Sequence, residues 1–380
     1  MLHVHQINLQ RALGGGEVYT RSFTRALADA GARVTLHVDR SNRFWDGLEG
    51  PSVTLSRVRS AGELLAALPA RDALILTQTA IPAAVFETAV ERHVLTGLAH
   101  MPMHQRSPDE LLRYRLVMSV SQYCLDLLAR AGVGQVYPEP LYGTFELERP
   151  ARGAIIAQSP YHWDERKWRD RLFGAFEPLA RALRPARRFR REPGLTLGIV
   201  SLIAPIKQFP LLFSHLAPII ALHSQARLEI FGIGGYAQLR DLKHALAPLA
   251  GRVRYWGFQP SVQAVYPQLD YLMTGLPEKE ALGLNAIEAQ ACGTPVLAPD
   301  APPFIETIVH GRTGFLYRDP RQDHGADFAA LLGRIVRGQP RPDPRGATEH
   351  LARFSYAALV ERARRLLAHL ARTFPHAGRQ

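Results

Sequence analysis

The chain predicts an α/β protein built from two parallel-sheet units in tandem. Three observations carry this. Short apolar strands alternate with helical periodicity twice, once from His3 and again from Leu195. Each series opens on a strand, a Gly- or Pro-containing turn and a helix, the order that lays a parallel sheet between helices. Between them lies an arginine-rich stretch closed by Pro193-Gly194, which reads as a linker.

Composition agrees. A length of 380 residues suits two or three domains, and 47% hydrophobic residues argue against extended disorder. No apolar run reaches a membrane span, and MLHVHQINL lacks the basic flank and apolar core of a signal peptide. Cys124 and Cys292 supply neither a disulfide framework nor a metal quartet, so a reducing cytoplasm is the expected compartment. The net charge of +12 suits anionic partners such as nucleotide or lipid phosphates or an anionic membrane face. With no helix-turn-helix, zinc knuckle or aromatic RNA-binding motif, nucleic acid is not expected as a partner.

In order, His3–Leu9 alternates as a strand and leads into Gly14-Gly15-Gly16-Glu17. A helical pattern of Val18, Tyr19, Phe23, Ala26, Leu27 and Ala30 ends at Gly31, and Val34–Val38 is the next strand. The glycine run lets backbone approach a ligand closely, or makes a plain tight turn. Strands follow at Ala73–Leu76, Val94–Leu98 and Leu116–Val120, with helices at Pro82–Glu91 and Gln122–Ala131, the latter capped by Ser121. His100 and His104 sit in the loop after Leu98, at the carboxyl end of a strand, where open α/β sheets bind ligands. Pro102 between them and the lack of a third ligand argue against a metal.

Ala154–Ala157 reads as a strand and Asp164–Leu183 as a charged helix. Arg184, Arg187, Arg188, Arg190 and Arg191 follow, a cluster that either touches anionic lipid or is a solvated linker. The second series runs through strands Leu195–Leu202, Leu228–Phe231, Val253–Trp256, Tyr271–Thr274 and Val296–Ala298. Phe354–Phe374 is a long amphipathic helix.

The most informative stretch is Pro277–Pro295, PEKEALGLNAIEAQACGTP. It reads as a loop after a strand, then a short helix stopped by Gly293 and Pro295. Such a loop aims free N–H groups at whatever sits before the helix, and a phosphate suits it. Glu280 and Glu288 are eight residues apart, about 12 Å if the span were fully helical, so each would hold one end of an elongated ligand.

Glu280, seven residues, Glu288 and then Ala291-Cys292-Gly293-Thr294-Pro295 resemble the signature of retaining glycosyltransferases of family four. That family has the GT-B fold, two Rossmann-like domains facing each other across a cleft. The resemblance implies that Glu280 lies near the donor sugar and Glu288 accepts hydrogen bonds from the ribose hydroxyls. It implies that the amides of Gly283 and Leu284 contact diphosphate and sugar. Gly14–Glu17 resembles the family's Gly-Gly-x-Glu opening, which places Gly15 and Gly16 near the donor phosphates and the acceptor. By the same resemblance His100, with His104 second, contacts the donor sugar. Gly234 backs the nucleotide, and Gly257 with Phe258 touches the base. Pro205 and Lys207 match the family's Pro-x-Lys-Gly, with Lys207 clamping the diphosphate. Ser201-Leu202 stands where the family has Gly-Arg, Gln208 replaces the second glycine, and Pro302-Pro303 replaces a frequent Gly-Gly. Loss of the planar guanidinium implies low donor affinity or an unusual donor.

The implied organisation is an acceptor-side domain over 1–150, a linker over 151–193, a donor domain over 194–345, and a helix over 346–380 that returns to the first domain. The implied reaction is metal-independent, retaining transfer of a hexose-type sugar from a nucleoside diphosphate sugar to a hydroxyl of a glycan or lipid-linked acceptor. Bacterial polysaccharide or lipopolysaccharide assembly is the expected setting. The nucleotide sugar is a substrate and no cofactor is expected. The expected location is cytoplasmic, with peripheral contact to an anionic membrane face. Two rivals share the fold: a sugar-nucleotide epimerase, and a non-catalytic sugar-nucleotide binding protein, which the Leu202 departure favours.

Overall fold

Strands form where apolar runs are punctuated by glycine and polar residues, and the computed structural model arranges them into two parallel sheets. It describes residues 1–11, 14–103, 107–143, 153–163, 168, 170–172, 174–175 and 187–379. His104, Arg184 and most of the expected 164–183 helix lie outside the described residues. The chain divides into two units, one of Met1–Glu146 with Ala352–Gln380, the other Leu147–Leu351. Helices of seven or more residues are labelled in chain order.

The first unit contains β1 (His3–Asn8), α1 (Gly15–Asp29), β2 (Arg33–Asp39), β3 (Val53–Val58), α2 (Ala61–Ala67) and β4 (Leu74–Thr77). It continues with α3 (Ala83–Arg92), β5 (Val94–Ala99), β6 (Leu116–Ser119) and α4 (Gln122–Arg130), the last capped by the Ser121 side chain as expected. The sheet order is β3-β2-β1-β4-β5-β6, all parallel. This is the doubly wound order, which reverses between β1 and β4 and leaves a crevice at their carboxyl ends. Val4 and Ile7 are fully buried in β1. Polar pairs from Gln6 to Thr24 (2.7 Å) and Asn8 to Thr20 (3.1 Å) tie the α1 face of that strand to the helix. On its other face runs a histidine stripe, with His5 and His37 buried and His3 half-buried. His5 Nδ1 and His37 Nε2 are 3.1 Å apart, and His3 Nε2 is 2.8 Å from Thr35 Oγ1.

The second unit contains β7 (Leu195–Val200), α5 (Phe209–Ala221), β8 (Ala226–Phe231), α6 (Tyr236–Ala245), β9 (Val253–Gly257) and β10 (Tyr271–Met273). It ends with α7 (Leu284–Ala291), β11 (Val296–Pro299), β12 (Gly314–Tyr317) and α8 (Ala326–Val336). Its order, β12-β11-β10-β7-β8-β9, is the same winding, with the reversal between β7 and β10. Leu197, Ile199, Leu228, Ile230, Phe213 and Phe328 form part of its core. Together the units are two Rossmann-like domains. The carboxy-terminal helix α9 (Tyr356–Thr373) belongs to the first unit, where Tyr356 donates to Asp29 at the end of α1 (2.7 Å) and Leu359, Ala363, Leu366 and Leu370 are buried.

Two sequence expectations change. Ala154–Ala157 is no strand; Ile156 makes one isolated bridge to Arg188. The helix expected from Val18 starts at Gly15, so Gly15 and Gly16 lie in its first turn rather than before it. Pro277–Gly283 is a loop before α7, as expected, so the 12 Å of a fully helical span does not apply to Glu280 and Glu288. Within the basic cluster, Arg187 stacks on Trp256 (4.5 Å) and Arg191 pairs with Asp270 (2.5 Å), so both brace the second unit.

Candidate functional site

In the second unit, the residues after β7 and after β10 meet at the strand-order reversal. Leu276 N donates to Lys207 O (3.2 Å), and a Cβ on Gly275 would lie 2.3 Å from that oxygen. Only glycine at 275 lets these two segments touch. Gln208 takes the left-handed conformation (φ 52°) that a glycine adopts freely, and it ends the Pro205–Lys207 turn just before α5. These constraints set the Lys207 ammonium on the Glu280 carboxylate, with both side chains mostly buried.

Glu280 also folds back on its own loop. Its Oε1 accepts from Ala281 N (3.2 Å) and Gly283 N (3.1 Å). Burial alone would raise this carboxyl. Lys207, by charge and hydrogen bond, and the two amides outweigh it and hold the group below the usual carboxylate range. The Gly283 amide expected to meet a ligand is therefore already engaged, by an internal anion. Gly283 is left-handed (φ 77°) and caps α7, where an added Cβ would lie 3.1 Å from Phe304. Leu284 opens that helix, and Asn285 Nδ2 ties its first turn to Val200 O at the end of β7 (3.2 Å).

One turn further along α7, Glu288 Oε2 accepts from the buried Tyr266 hydroxyl at 2.7 Å. Burial pushes Glu288 up to about 7, against the smaller opposing pull of Tyr266 and Lys207. The two glutamates thus differ: Glu280 is a carboxylate locked by a cation, while Glu288 is poised to gain or lose a proton near neutrality. Sequence reasoning missed Tyr266. It lies 22 residues from Glu288, a distance that no local pattern encodes.

Leu202, where the arginine is missing, is 40% exposed. Gly234 has its N–H on Pro160 O (2.9 Å) and its carbonyl on His162 N (2.9 Å), so segment 160–162 uses both groups. Gly257 is left-handed (φ 67°), and an added Cβ would sit 2.5 Å from Ser159 O. Chain packing alone requires glycine there. A cavity of about 710 Å³ in this unit, lined by Tyr161, His162, Trp163, Asp170, Arg171, Gly174 and Ala175, contains none of the expected site residues.

The first unit gathers the remaining candidates at its own reversal. Gly14 caps α1 and Gly15 is exposed, and a Cβ added to Gly16 would meet nothing within 4 Å. Glu17 is buried, which raises its carboxyl. His100, just past β5, lies 3.1 Å from Gln78 Oε1, and burial lowers it to about 4, so it is neutral at pH 7. Gln78 Oε1 is also 2.6 Å from Thr20 Oγ1, which is 2.7 Å from Gly16 O. This chain joins the helix turn to His100. Sequence reading passed over Gln78 although it found the preceding strand. Lys207, Glu280, Gly283, Leu284 and Glu288 are thus brought together in one unit, and Gly15, Gly16 and His100 in the other.

Known proteins resemble this chain in sequence and in fold. Residues 194–337 match the family model described as Glycosyl transferases group 1. D-inositol 3-phosphate glycosyltransferase of Stackebrandtia nassauensis is 29% identical over 181 residues, 44% of this chain and 40% of that protein. The protein of the same name from Nocardia farcinica is 32% identical over 187 residues, 45% of this chain and 41% of that protein. The match thus spans less than half the length of these relatives. Among solved structures, Anabaena HepE in complex with UDP-glucose superposes with a TM-score of 0.69 at 17% identity, covering 97% of this chain and all of that one. The apo lipopolysaccharide outer core galactosyltransferase WaaB gives 0.58 at 14% identity, covering 96% and 99%. These likenesses establish the shared fold.

Proposed function

We propose that this chain, a GT-B protein whose residues 194–337 are a group 1 glycosyltransferase domain, transfers a sugar from a nucleoside diphosphate sugar to an acceptor hydroxyl with retention of configuration. The observation that carries this reading is the meeting of Lys207, Glu280 and the α7 amino terminus at the strand-order reversal. A buried cation beside backbone N–H groups suits a diphosphate, and a carboxylate one helical turn away suits a ribose diol. HepE, a structural neighbour, was solved with UDP-glucose, which supports a nucleotide-sugar donor here.

In the proposed reaction the acceptor oxygen attacks the anomeric carbon from the face the diphosphate leaves. The new C–O bond forms as the anomeric C–O bond to phosphate breaks. The hydroxyl proton passes to the departing phosphate oxygen. Lys207 and the loop amides offset charge growing on the leaving group. Glu288 holds the ribose, while Glu280 orients the hexose and steadies positive charge at the anomeric centre. Because Glu280 occupies Lys207 and Gly283 N–H in the free protein, the donor phosphates share or displace that carboxylate on binding. Gly15, Gly16 and His100 gather at the corresponding strand-order reversal of the first unit. No metal or cofactor is invoked.

We place the activity at the cytoplasmic face of the membrane, in polysaccharide or lipopolysaccharide assembly, with the net charge of +12 favouring contact with anionic lipid. No helix among the described residues is long and apolar enough to cross a bilayer. The exposed Leu202 in place of the arginine favours one alternative, a protein that binds sugar nucleotides without turning them over.

Calorimetry and product analysis with UDP-, GDP- and ADP-sugars test the proposal. Binding of one base class with release of the nucleoside diphosphate supports it. Binding with no turnover that Glu280→Gln leaves unaltered supports the binding protein. No binding of any nucleotide refutes both.

A further inference from the structure

We infer that Gln78 positions a saccharide hydroxyl at the carboxyl end of β4, a role that rests on the glycosyltransferase reading. Gln78 follows the last residue of β4, and its backbone N–H still bonds to Ile7 O of β1 (3.1 Å). Strand alternation puts its side chain on the α1 face of the sheet. There one end of the amide is committed, to Thr20 Oγ1 at 2.6 Å and His100 Nε2 at 3.1 Å. The other end, Nε2, has no hydrogen-bond partner among the described residues, although Gln78 is only 6% exposed.

A buried amide end without a partner is costly, and native proteins keep such groups where something else satisfies them. Gln6 has a similarly unpaired amide, but it is sealed in mid-strand, where no ligand reaches it. Gln78 instead lies beyond the strand, where Thr20 links it to Gly16 O in the first turn of the 15-residue helix α1, and a Cβ added at Gly16 would meet nothing within 4 Å. Its place is also the counterpart of a functional one. In the second unit the segments after the first and fourth strands bring Lys207 and Glu280 together; in the first unit the same two segments supply the α1 turn and Gln78. That position is ionic in the second unit and neutral in the first.

The Gln78–Thr20–His100 group holds no formal charge, so it selects a neutral polar ligand. A hydroxyl both donates and accepts, and it satisfies the free amide end in either orientation of the amide. The hydroxyl belongs either to the hexose of the donor or to a saccharide acceptor.

Calorimetry on the full chain separates these sources. The probes are UDP, GDP and ADP, their glucose and mannose conjugates, and the methyl α-glycosides of both sugars. If the hydroxyl is the donor's, Gln78→Leu weakens the sugar nucleotide about 3- to 10-fold and leaves the free nucleoside diphosphate unchanged. If it is the acceptor's, nucleotide binding is unchanged and the methyl glycoside loses the same factor. A purely structural role lowers the melting temperature without moving either ratio. Gln78→Met serves if the leucine variant fails to fold. A folded variant with unchanged nucleotide, sugar-nucleotide and glycoside binding overturns the inference while the glycosyltransferase reading stands. A wild-type chain that binds no nucleoside diphosphate overturns that reading instead.

Discussion

Replacing Glu288 by glutamine will stabilise the free protein, and increasingly so as the pH rises. An ordinary glutamate titrates near 4.5, whereas burial pushes Glu288 to about 7. The folded chain therefore holds this proton more tightly than the unfolded chain. The favourable contribution is complete below pH 4.5 and is lost as pH rises through about 7. At pH 8 the folded protein carries an ionised group that burial disfavours, at a cost of at most about 3 kcal/mol relative to a neutral side chain; at pH 5 the cost is about 1 kcal/mol. These are upper values because Glu288 keeps partial access to water. Glutamine keeps the shape and an oxygen for the Tyr266 hydroxyl but never ionises. For a unit of this size each kcal/mol moves the melting temperature by about 2–4 °C. The advantage of Glu288→Gln should therefore widen by about 4–8 °C between pH 5 and pH 8, read by thermal denaturation of both proteins across that range. A difference that stays flat with pH, or narrows, refutes the reasoning about burial at this position.

Three further outcomes follow from the site and the fold. Glu280→Gln removes the internal anion from Lys207 and Gly283, so free nucleoside diphosphate should bind several-fold more tightly while sugar transfer falls by about 10² or more. Calorimetry and a transfer assay read the two, and weaker nucleotide binding contradicts the displacement step. Leu202→Arg adds a planar cation at an exposed position after β7 and should tighten nucleoside diphosphate binding by about tenfold, with a steeper salt dependence; unchanged affinity means residue 202 does not face the phosphates. Burial holds His5 down to about 3 and His37 to about 4, so both must be neutral in the folded first unit, and stability should fall as pH drops below 6.5. His37→Gln should flatten that acid limb in chemical denaturation, and an unaltered limb would assign the loss to other groups.

The double α/β architecture was legible because both sheets are buried on two faces, and such strands read as apolar runs between glycines. β3 escaped notice for the opposite reason. It is an edge strand, and Ser56 and Arg57 interrupt its apolar pattern. The Glu280–Glu288 stretch announced a loop before a helix, but the helical spacing failed because Gly283 turns left-handed between them. Lys207 and Glu280 were each identified, the first by its place after a strand, whereas their pairing was not, since the ion pair depends on Gly275 letting two distant segments touch. Tyr266 and Gln78 carried no local signal at all. A tyrosine before a strand and a glutamine after one look the same whether they serve a ligand or only fill space.

The histidine stripe under β1 and β2 has a consequence for handling the protein. His5 and His37 face each other across 3.1 Å with room for a single proton between their rings. Acidic elution from an affinity resin would force a second proton, and with it a charge, into that buried gap and destabilise the first unit. Purification near neutrality, or slightly above it, avoids that injury.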